Sequence, residues 1–181
     1  MKPSHAKMLE EADVIFWIGE GIETSMEEPL DSIAKDAEVI EFMELDSIAK
    51  LKFREESIFG DHDDHDDHDD HDDHDDHDDH DDHDDHAGHE GHNHGEFDAH
   101  IWLDPSNAKE MVHEIAHELG DFDPANKDKY EANAEATIIA LDQLIKDVSK
   151  DINKDAKFVV FHDAYQYFEE RFGVRLSLIH I

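Results

Sequence analysis

Histidine is the residue type in this chain that could most readily do chemistry, and most of it is concentrated in one segment. Of the 18 histidines, twelve fall between residues 62 and 94. Neutral imidazole is a common ligand for zinc and other transition metals, and aspartate oxygens can complete such sites. The chain has no cysteine, so a metal site must use nitrogen and oxygen ligands. The chemistry to consider first is therefore metal binding.

A repeat of one histidine and two aspartates fills residues 61–86 and lies within a low-complexity loop, residues 59–97. In an extended polyproline-like chain, three residues per turn would align the imidazoles in one row about 9 Å apart. Neighbours at that spacing cannot share a zinc ion through bonds of about 2 Å unless the chain bends. We therefore expect a disordered loop with many weak, interchangeable metal sites, the alternative being a plain acidic linker. The low-affinity ligands would be His62, His65, His68, His71, His74, His77, His80, His83, His86, His89, His92 and His94.

A second candidate is the segment HEIAHELGDFD, residues 113–123, which matches the H-E-x-x-H pattern of zinc metallopeptidases. In that interpretation His113 and His117 bind zinc, Glu114 activates a water molecule and Asp123 is a third ligand. The helix that carries them has an apolar face elsewhere, which leaves these side chains solvated. That face comprises Met111, Val112, Ile115, Ala116 and Leu119. Because no methionine follows to form the methionine turn of the extended pattern, ordinary solvated positions are the favoured interpretation.

The third candidate is a pair of single histidines, His100 in AHIWLDP and His162 in FVVFHDAY. Each is placed next to a short apolar segment that predicts a strand, and α/β folds bind ligands at strand ends. By pattern alone, each is more often a capped or core histidine. The pair gains importance only from the family resemblance described below.

Apolar segments alternate with helical patterns along the chain, which predicts an α/β fold with parallel sheets. The helix over 124–153 would extend about 40 Å, long enough to connect two lobes. We expect a first lobe over residues 1–123, the linking helix over 124–153 and the beginning of a second lobe over 156–181. The predicted elements are a helix over 3–12, a strand in 13–19, a helix over 24–36, a strand in 37–43, a short strand from 100, a helix from 105 that ends at Gly120, and strand, helix and strand after 156. The buried stripe of the long helix would be Tyr130, Ala134, Ile138, Leu141, Leu144, Ile145 and Val148.

The chain is strongly acidic, with a formal net charge of −36. Residues 61–86 contribute seventeen aspartates, and the remainder is still acidic. Such a surface repels phosphate backbones and anionic lipids and attracts cations, so nucleic acid is excluded as an expected partner. No apolar run approaches the ~20 residues of a membrane span, and the first residues show no signal-peptide pattern.

Three segments together resemble the zinc-binding proteins that supply zinc ABC transporters. In order along the chain they are KPSHAKMLEEADVIFWIGEGIE, HIWLDPSNAKEMVHEIAHEL and FVVFHDAYQYFEERFGV. The resemblance covers nearly all of the sequence outside the repeat. It implies two α/β lobes joined by one long helix, with zinc held between them and a histidine-rich loop in the first lobe.

The resemblance also implies which residues bind the metal. His100, in the H-x-W-x-x-P segment, and His162, in the F-H-D-A-Y segment, correspond to zinc ligands of that family. A further histidine before the K-P-S segment and most of the second lobe, which the family has, are not found in this chain. His5 and His180 are not assigned as ligands.

The function that the resemblance implies is capture of Zn²⁺ in the periplasm, or otherwise outside the cytoplasm, and delivery to a membrane permease. It implies no catalysed reaction and, for the complete protein, a monomer. The histidine-rich loop would collect or sense zinc. Two alternatives stay open: a zinc metallopeptidase that uses residues 113–117, and a metal buffer that acts through the repeat alone.

Overall fold

The computed structural model describes residues 2–54, 96–160 and 162–178. Residues 59–95 of the low-complexity loop, with all twelve of its histidines, lie outside the described residues, and so does His180. The predictions made for the loop and its weak metal sites therefore stay predictions.

The first part of the chain folds as a helix followed by two parallel strands with short helices between them. The strands pair in register from Val14 opposite Glu38 to Trp17 opposite Glu41. Trp17, Leu30 and Ala34 form a small core on this sheet. The predicted α/β pattern is confirmed here, and the elements are α1 (Pro3–Glu10), β1 (Val14–Trp17), α2 (Glu20–Glu23), α3 (Glu27–Ile33) and β2 (Glu38–Glu41).

The helix predicted over 24–36 is present but shorter, as α3, and an additional short helix, α2, precedes it. Gly19, with φ of 141°, redirects the chain so that α2 begins directly after β1. The Glu23 carboxylate accepts hydrogen bonds from the backbone N–H groups of Ile18 (2.8 Å) and Gly19 (3.4 Å), which holds this turn. Pro29 lies in the first turn of α3, where its missing N–H leaves no helical hydrogen bond unmade.

The chain returns to the fold after residue 95 by pairing with the segment that precedes the loop. The backbone of Lys52 bridges that of Phe97 in antiparallel fashion, and Asp98 N–H donates to the Leu51 carbonyl (2.8 Å). The prediction of a short strand from residue 100 was wrong, because Ile101–Leu103 form a 3₁₀ turn. The turn forms because the Asp98 side chain accepts from the backbone N–H of His100 and bends the chain there (3.0 Å).

Two long helices pack against each other after this turn. They are α4 (Pro105–Phe122) and α5 (Lys127–Asp151), with a 3₁₀ turn at Pro124–Asn126 between them. The helices are antiparallel, because Lys109 of α4 binds Asp142 of α5 (2.7 Å) while Gly120 approaches Lys127. At 25 residues, α5 is about 37 Å long, which agrees with the long helix predicted.

Two details of the helix predictions were wrong. Gly120 does not end α4, because the helix continues to Phe122 and the glycine is buried inside it. Leu144, predicted in the buried stripe of α5, is 46% exposed, although Ala134 of the same stripe is buried.

A second parallel pair follows α5, as predicted. Phe158 pairs with Leu176 and Val160 with Leu178, and Gly173 ends the intervening helix in the left-handed conformation, with φ of 65°. These elements are β3 (Phe158–Val160), α6 (Gln166–Phe172) and β4 (Leu176–Leu178). None of the helices in the described part of the chain has the length and apolar character of a membrane span.

Helix α6 packs back onto the first part of the molecule. Tyr167, which is 2% exposed, enters a core cluster with Phe42, Ile48 and Ile101. This contact brings the segment after β3 next to the 3₁₀ turn that follows His100, and so places the two candidate histidines near each other.

Candidate metal centre

The rings of His100 and His162 meet, although the residues are 62 positions apart in the chain. Their Nε2 atoms are 3.3 Å apart, and the ring planes cross at 65° with centroids 5.2 Å apart. Two nitrogens bound to one tetrahedral zinc ion through bonds of about 2.0–2.1 Å stand roughly 3.3–3.4 Å from each other. The pair therefore already has the separation that two zinc ligands require.

Asp98 orients the His100 ring. Its Oδ1 atom lies 2.6 Å from Nδ1 of His100 and also accepts the backbone N–H of that residue at 3.0 Å. A carboxylate oxygen can only accept, so Nδ1 carries the ring proton. The lone pair of the neutral ring is then on Nε2, the atom that faces His162.

The backbone of Asp98 is held from two further directions. Its N–H donates to the Leu51 carbonyl at 2.8 Å, and its carbonyl accepts from the hydroxyl of Tyr167 at 2.5 Å. The same hydroxyl accepts the Leu51 N–H at 3.0 Å. Burial raises the pKa of Tyr167, which keeps this hydroxyl protonated and able to donate. These hydrogen bonds give residue 98 a defined position.

A buried amide joins the start of α4 to the segment that carries His100. Asn107 is 2% exposed, and its side-chain nitrogen donates to the carbonyls of Ala49 (2.9 Å) and Ile101 (3.1 Å). Its side-chain oxygen accepts the N–H of Ala49 at 2.9 Å. The amide of Asn107 thus donates two hydrogen bonds and accepts one, and these bonds hold the 3₁₀ turn after His100 against α4.

Carboxylates line an open cavity of about 300 Å³ next to Ala99, the neighbour of His100. Glu20, Glu41 and Glu44 contribute to its wall. Partial burial raises the pKa of Glu41, and the negative charges of Glu44 and Glu20 raise it further. Such a concentration of negative charge attracts cations toward this side of the molecule.

The structure does not bring together the residues of the peptidase interpretation. His113 and His117 are exposed on α4, and the His117 ring contacts Glu118 (3.0 Å) and Asp121 (3.8 Å). Asp123 instead stabilises the turn before α5, accepting from Asn126 and Tyr130. In the described ranges, no group of three or more histidine, aspartate or glutamate side chains is arranged to hold a metal ion. The metallopeptidase alternative has no support.

Asp98 and Tyr167 were not among the residues predicted for the site. The pattern D-x-H was a usable indication for Asp98, because an aspartate two residues before a candidate ligand can reach both its backbone and its ring. No local pattern pointed to Tyr167, since its partners lie 116 and 69 positions away in the chain.

One long helix between two parallel sheets defines the chain as part of a two-lobed α/β fold. All of residues 1–181 match the sequence model of the ZnuA family, described as zinc-uptake complex component A, periplasmic. The chain belongs to this family.

Among its relatives, the high-affinity zinc uptake system protein ZnuA of Brucella abortus (strain 2308) is 48% identical over 98% of this chain. The protein of the same name from Yersinia pestis is 32% identical over 96% of the chain. The alignments cover 55% and 52% of those two proteins, so the chain spans about half the length of the curated relatives it matches.

Solved structures share the fold. A crystal structure of ZnuA superimposes with a TM-score of 0.67 at 23% identity, covering 99% of this chain and 55% of the other. The Zn(II)-bound AdcA of Streptococcus pneumoniae gives a TM-score of 0.66 at 22% identity, covering 99% of this chain and 31% of the other.

Proposed function

We propose that this chain belongs to a protein that captures Zn²⁺ outside the cytoplasm and delivers it to an ABC-type permease. The observation that carries the proposal is the 3.3 Å approach of the Nε2 atoms of His100 and His162. Both rings are supplied by segments that flank the long helix in sequence, so a bound ion would link the two parts of the molecule.

The names of the relatives support zinc as the cargo. The Brucella and Yersinia proteins are named for high-affinity zinc uptake, and the pneumococcal AdcA structure is described as Zn(II)-bound. Two imidazoles provide half of a tetrahedral zinc site, and further ligands would come from parts of the protein beyond this chain. The chain alone is therefore expected to bind zinc weakly compared with the whole protein.

The proposal includes a domain organisation for the chain. Residues 1–123 form the first lobe, residues 124–153 the connection and residues 156–181 the beginning of the second lobe. Binding and release of the ion are the whole task, so no catalysed reaction is part of the proposal. For the complete protein we propose a monomer that docks to its permease from the periplasm or an equivalent compartment.

The test is a zinc titration of a variant that lacks residues 61–94, whose many histidines would otherwise mask the site. His100→Ala and His162→Ala should each lower the affinity of the remaining site by tenfold or more, because each removes one of two nitrogens. His113→Ala also removes one histidine but from the exposed face of α4, and it should leave that affinity unchanged. Equal zinc affinities for the deletion variant and its three alanine substitutions would refute the proposal.

We further propose that the repeat collects zinc at higher concentration and passes it to the site or senses its excess. Calorimetry on the chain with and without residues 61–94 tests this. Removal should abolish a large set of weak sites and leave the His100 and His162 site in place. An unchanged number of weak sites would show that the repeat has no such role.

A further inference from the structure

The two histidines of the proposed site are held very differently. The His100 side chain is 18% exposed and is fixed by Asp98, whose own side chain is 4% exposed. His162 lies at an exposed bend after β3, and its ring touches that of His100. One candidate ligand is therefore held by a buried partner, whereas the other is exposed.

This difference decides where the ring protons lie. His100 donates from Nδ1 to Asp98, so its Nε2 can only accept. The 3.3 Å contact is then a hydrogen bond from Nε2–H of His162 to Nε2 of His100. To bind zinc through Nε2, His162 would have to carry its ring proton on Nδ1, whereas His100 would need no change of tautomer.

We infer that Asp98 is a positioning residue that sets the tautomer and the orientation of His100 for metal binding. This inference rests on the proposed function for its purpose, and its physical basis is the two contacts that Asp98 makes with His100. A histidine that binds a metal through one ring nitrogen is commonly held at the other by a carboxylate, and loss of that partner lowers metal affinity about 10–100-fold. Asp98 is buried and touches both the ring and the backbone of His100, as such a partner must.

Three substitutions separate the ring contact from the backbone contact. Asp98→Ser keeps a short acceptor for the His100 N–H but cannot reach Nδ1, so the turn is retained and the ring is released. Asp98→Asn keeps an oxygen for both contacts and removes the charge. Asp98→Ala removes both contacts, and its urea midpoint reports what the turn itself contributes.

The first measurement needs no metal. A long-range ¹H–¹⁵N spectrum of the full, zinc-free chain at a pH where the rings are neutral reports the tautomer of His100, which is assigned as the signal missing from His100→Gln. Wild type and Asp98→Asn should show the proton on Nδ1. Asp98→Ser and Asp98→Ala should shift toward the Nε2–H form that an unconstrained histidine prefers. An Nδ1–H signal that persists in Asp98→Ser would overturn the inference.

The second measurement is the Zn²⁺ affinity of the same variants in the background that lacks residues 61–94. Asp98→Ser should bind zinc 10–100-fold more weakly than the parent. The zinc affinity of Asp98→Asn should lie between those of the parent and Asp98→Ser. If the tautomer changes while His100→Ala does not affect zinc affinity, the proposed function fails and the structural role of Asp98 stands. If His100→Ala weakens binding but Asp98→Ser does not, the positioning role is refuted and the site survives.

Discussion

Arg171 binds both carboxylate oxygens of Asp104, with Nε to Oδ1 and Nη2 to Oδ2 each at 2.6 Å. Asp104 also caps α4 by accepting the backbone N–H of Ser106 at 2.8 Å. The hydrogen bond to the Asp104 carboxylate, together with the negative charge of that group, raises the pKa of Arg171 above its ordinary value. One carboxylate therefore fixes the start of α4 and, through α6, the segment that follows His162.

Removal of the Arg171 side chain should loosen α6 from α4. The side chain of Asp104 is 9% exposed, so Arg171→Ala leaves a nearly buried carboxylate with only its capping contact. We expect a loss of about 1–3 kcal/mol in the free energy of unfolding, measured with urea. Arg171→Lys keeps the charge but not the two-pronged geometry and should recover only part of the loss. Equal stability of wild type and Arg171→Ala would contradict this prediction.

Tyr167→Phe should affect both stability and the metal site. It leaves the Leu51 N–H and the Asp98 carbonyl without their common buried partner. We expect a cost of about 1–3 kcal/mol in urea unfolding and a several-fold lower zinc affinity, because residue 98 loses one of its restraints. Tyr165→Phe is the control, since that ring is 38% exposed and its hydroxyl should contribute little. A Tyr167→Phe protein that matches Tyr165→Phe in both measurements would refute the coupling.

Gly21 allows α2 to approach the segment beside His100. A Cβ atom at position 21 would lie 2.9 Å from the Cβ of Ala99, so one backbone must shift. Gly21→Ala should cost about 1–3 kcal/mol and weaken zinc binding, as seen by urea unfolding and calorimetry. The control is Gly120→Ala, whose Cβ would meet the flexible side chain of Lys127 at 3.0 Å, and it should be neutral or slightly stabilising. The opposite order of stabilities would contradict the close approach.

His117 should make the stability of α4 depend on pH. A hydrogen bond to Glu118, and next the charge of Asp121, raise the pKa of His117 above its ordinary value of about 6.5. A raised folded-state pKa means that the stabilisation is present below about pH 6.5 and is lost as the pH rises through the folded value. The urea midpoint of wild type relative to His117→Gln should therefore fall between pH 6 and 8. In Glu118→Gln the same comparison should show a smaller change, and a difference that grows with pH would refute the assignment.

Local pattern was sufficient for much of the fold. The apolar runs at β1 and β2, the long amphipathic stretch of α5 and the strand, helix and strand after it all lie where the residues predict them. The errors fall where side chains bind nearby backbone: Glu23 holds the turn at the start of a short helix that was not predicted, and Asp98 binds the backbone where a 3₁₀ turn replaces an expected strand. Such contacts between a side chain and nearby backbone compete with regular structure and leave no periodic trace in the sequence.

The sequence by itself determined the residue types available to a metal, the acidic character of the chain and the α/β order of its elements. It also singled out His100 and His162, through family resemblance rather than through their local pattern. Only the tertiary structure decided that the two Nε2 atoms stand 3.3 Å apart and that Asp98 holds one ring while the other residue is exposed. The physical reason is that ligand geometry depends on contacts between segments more than 60 residues apart, such as Tyr167 with Asp98, which are made only when the packed core brings those segments together.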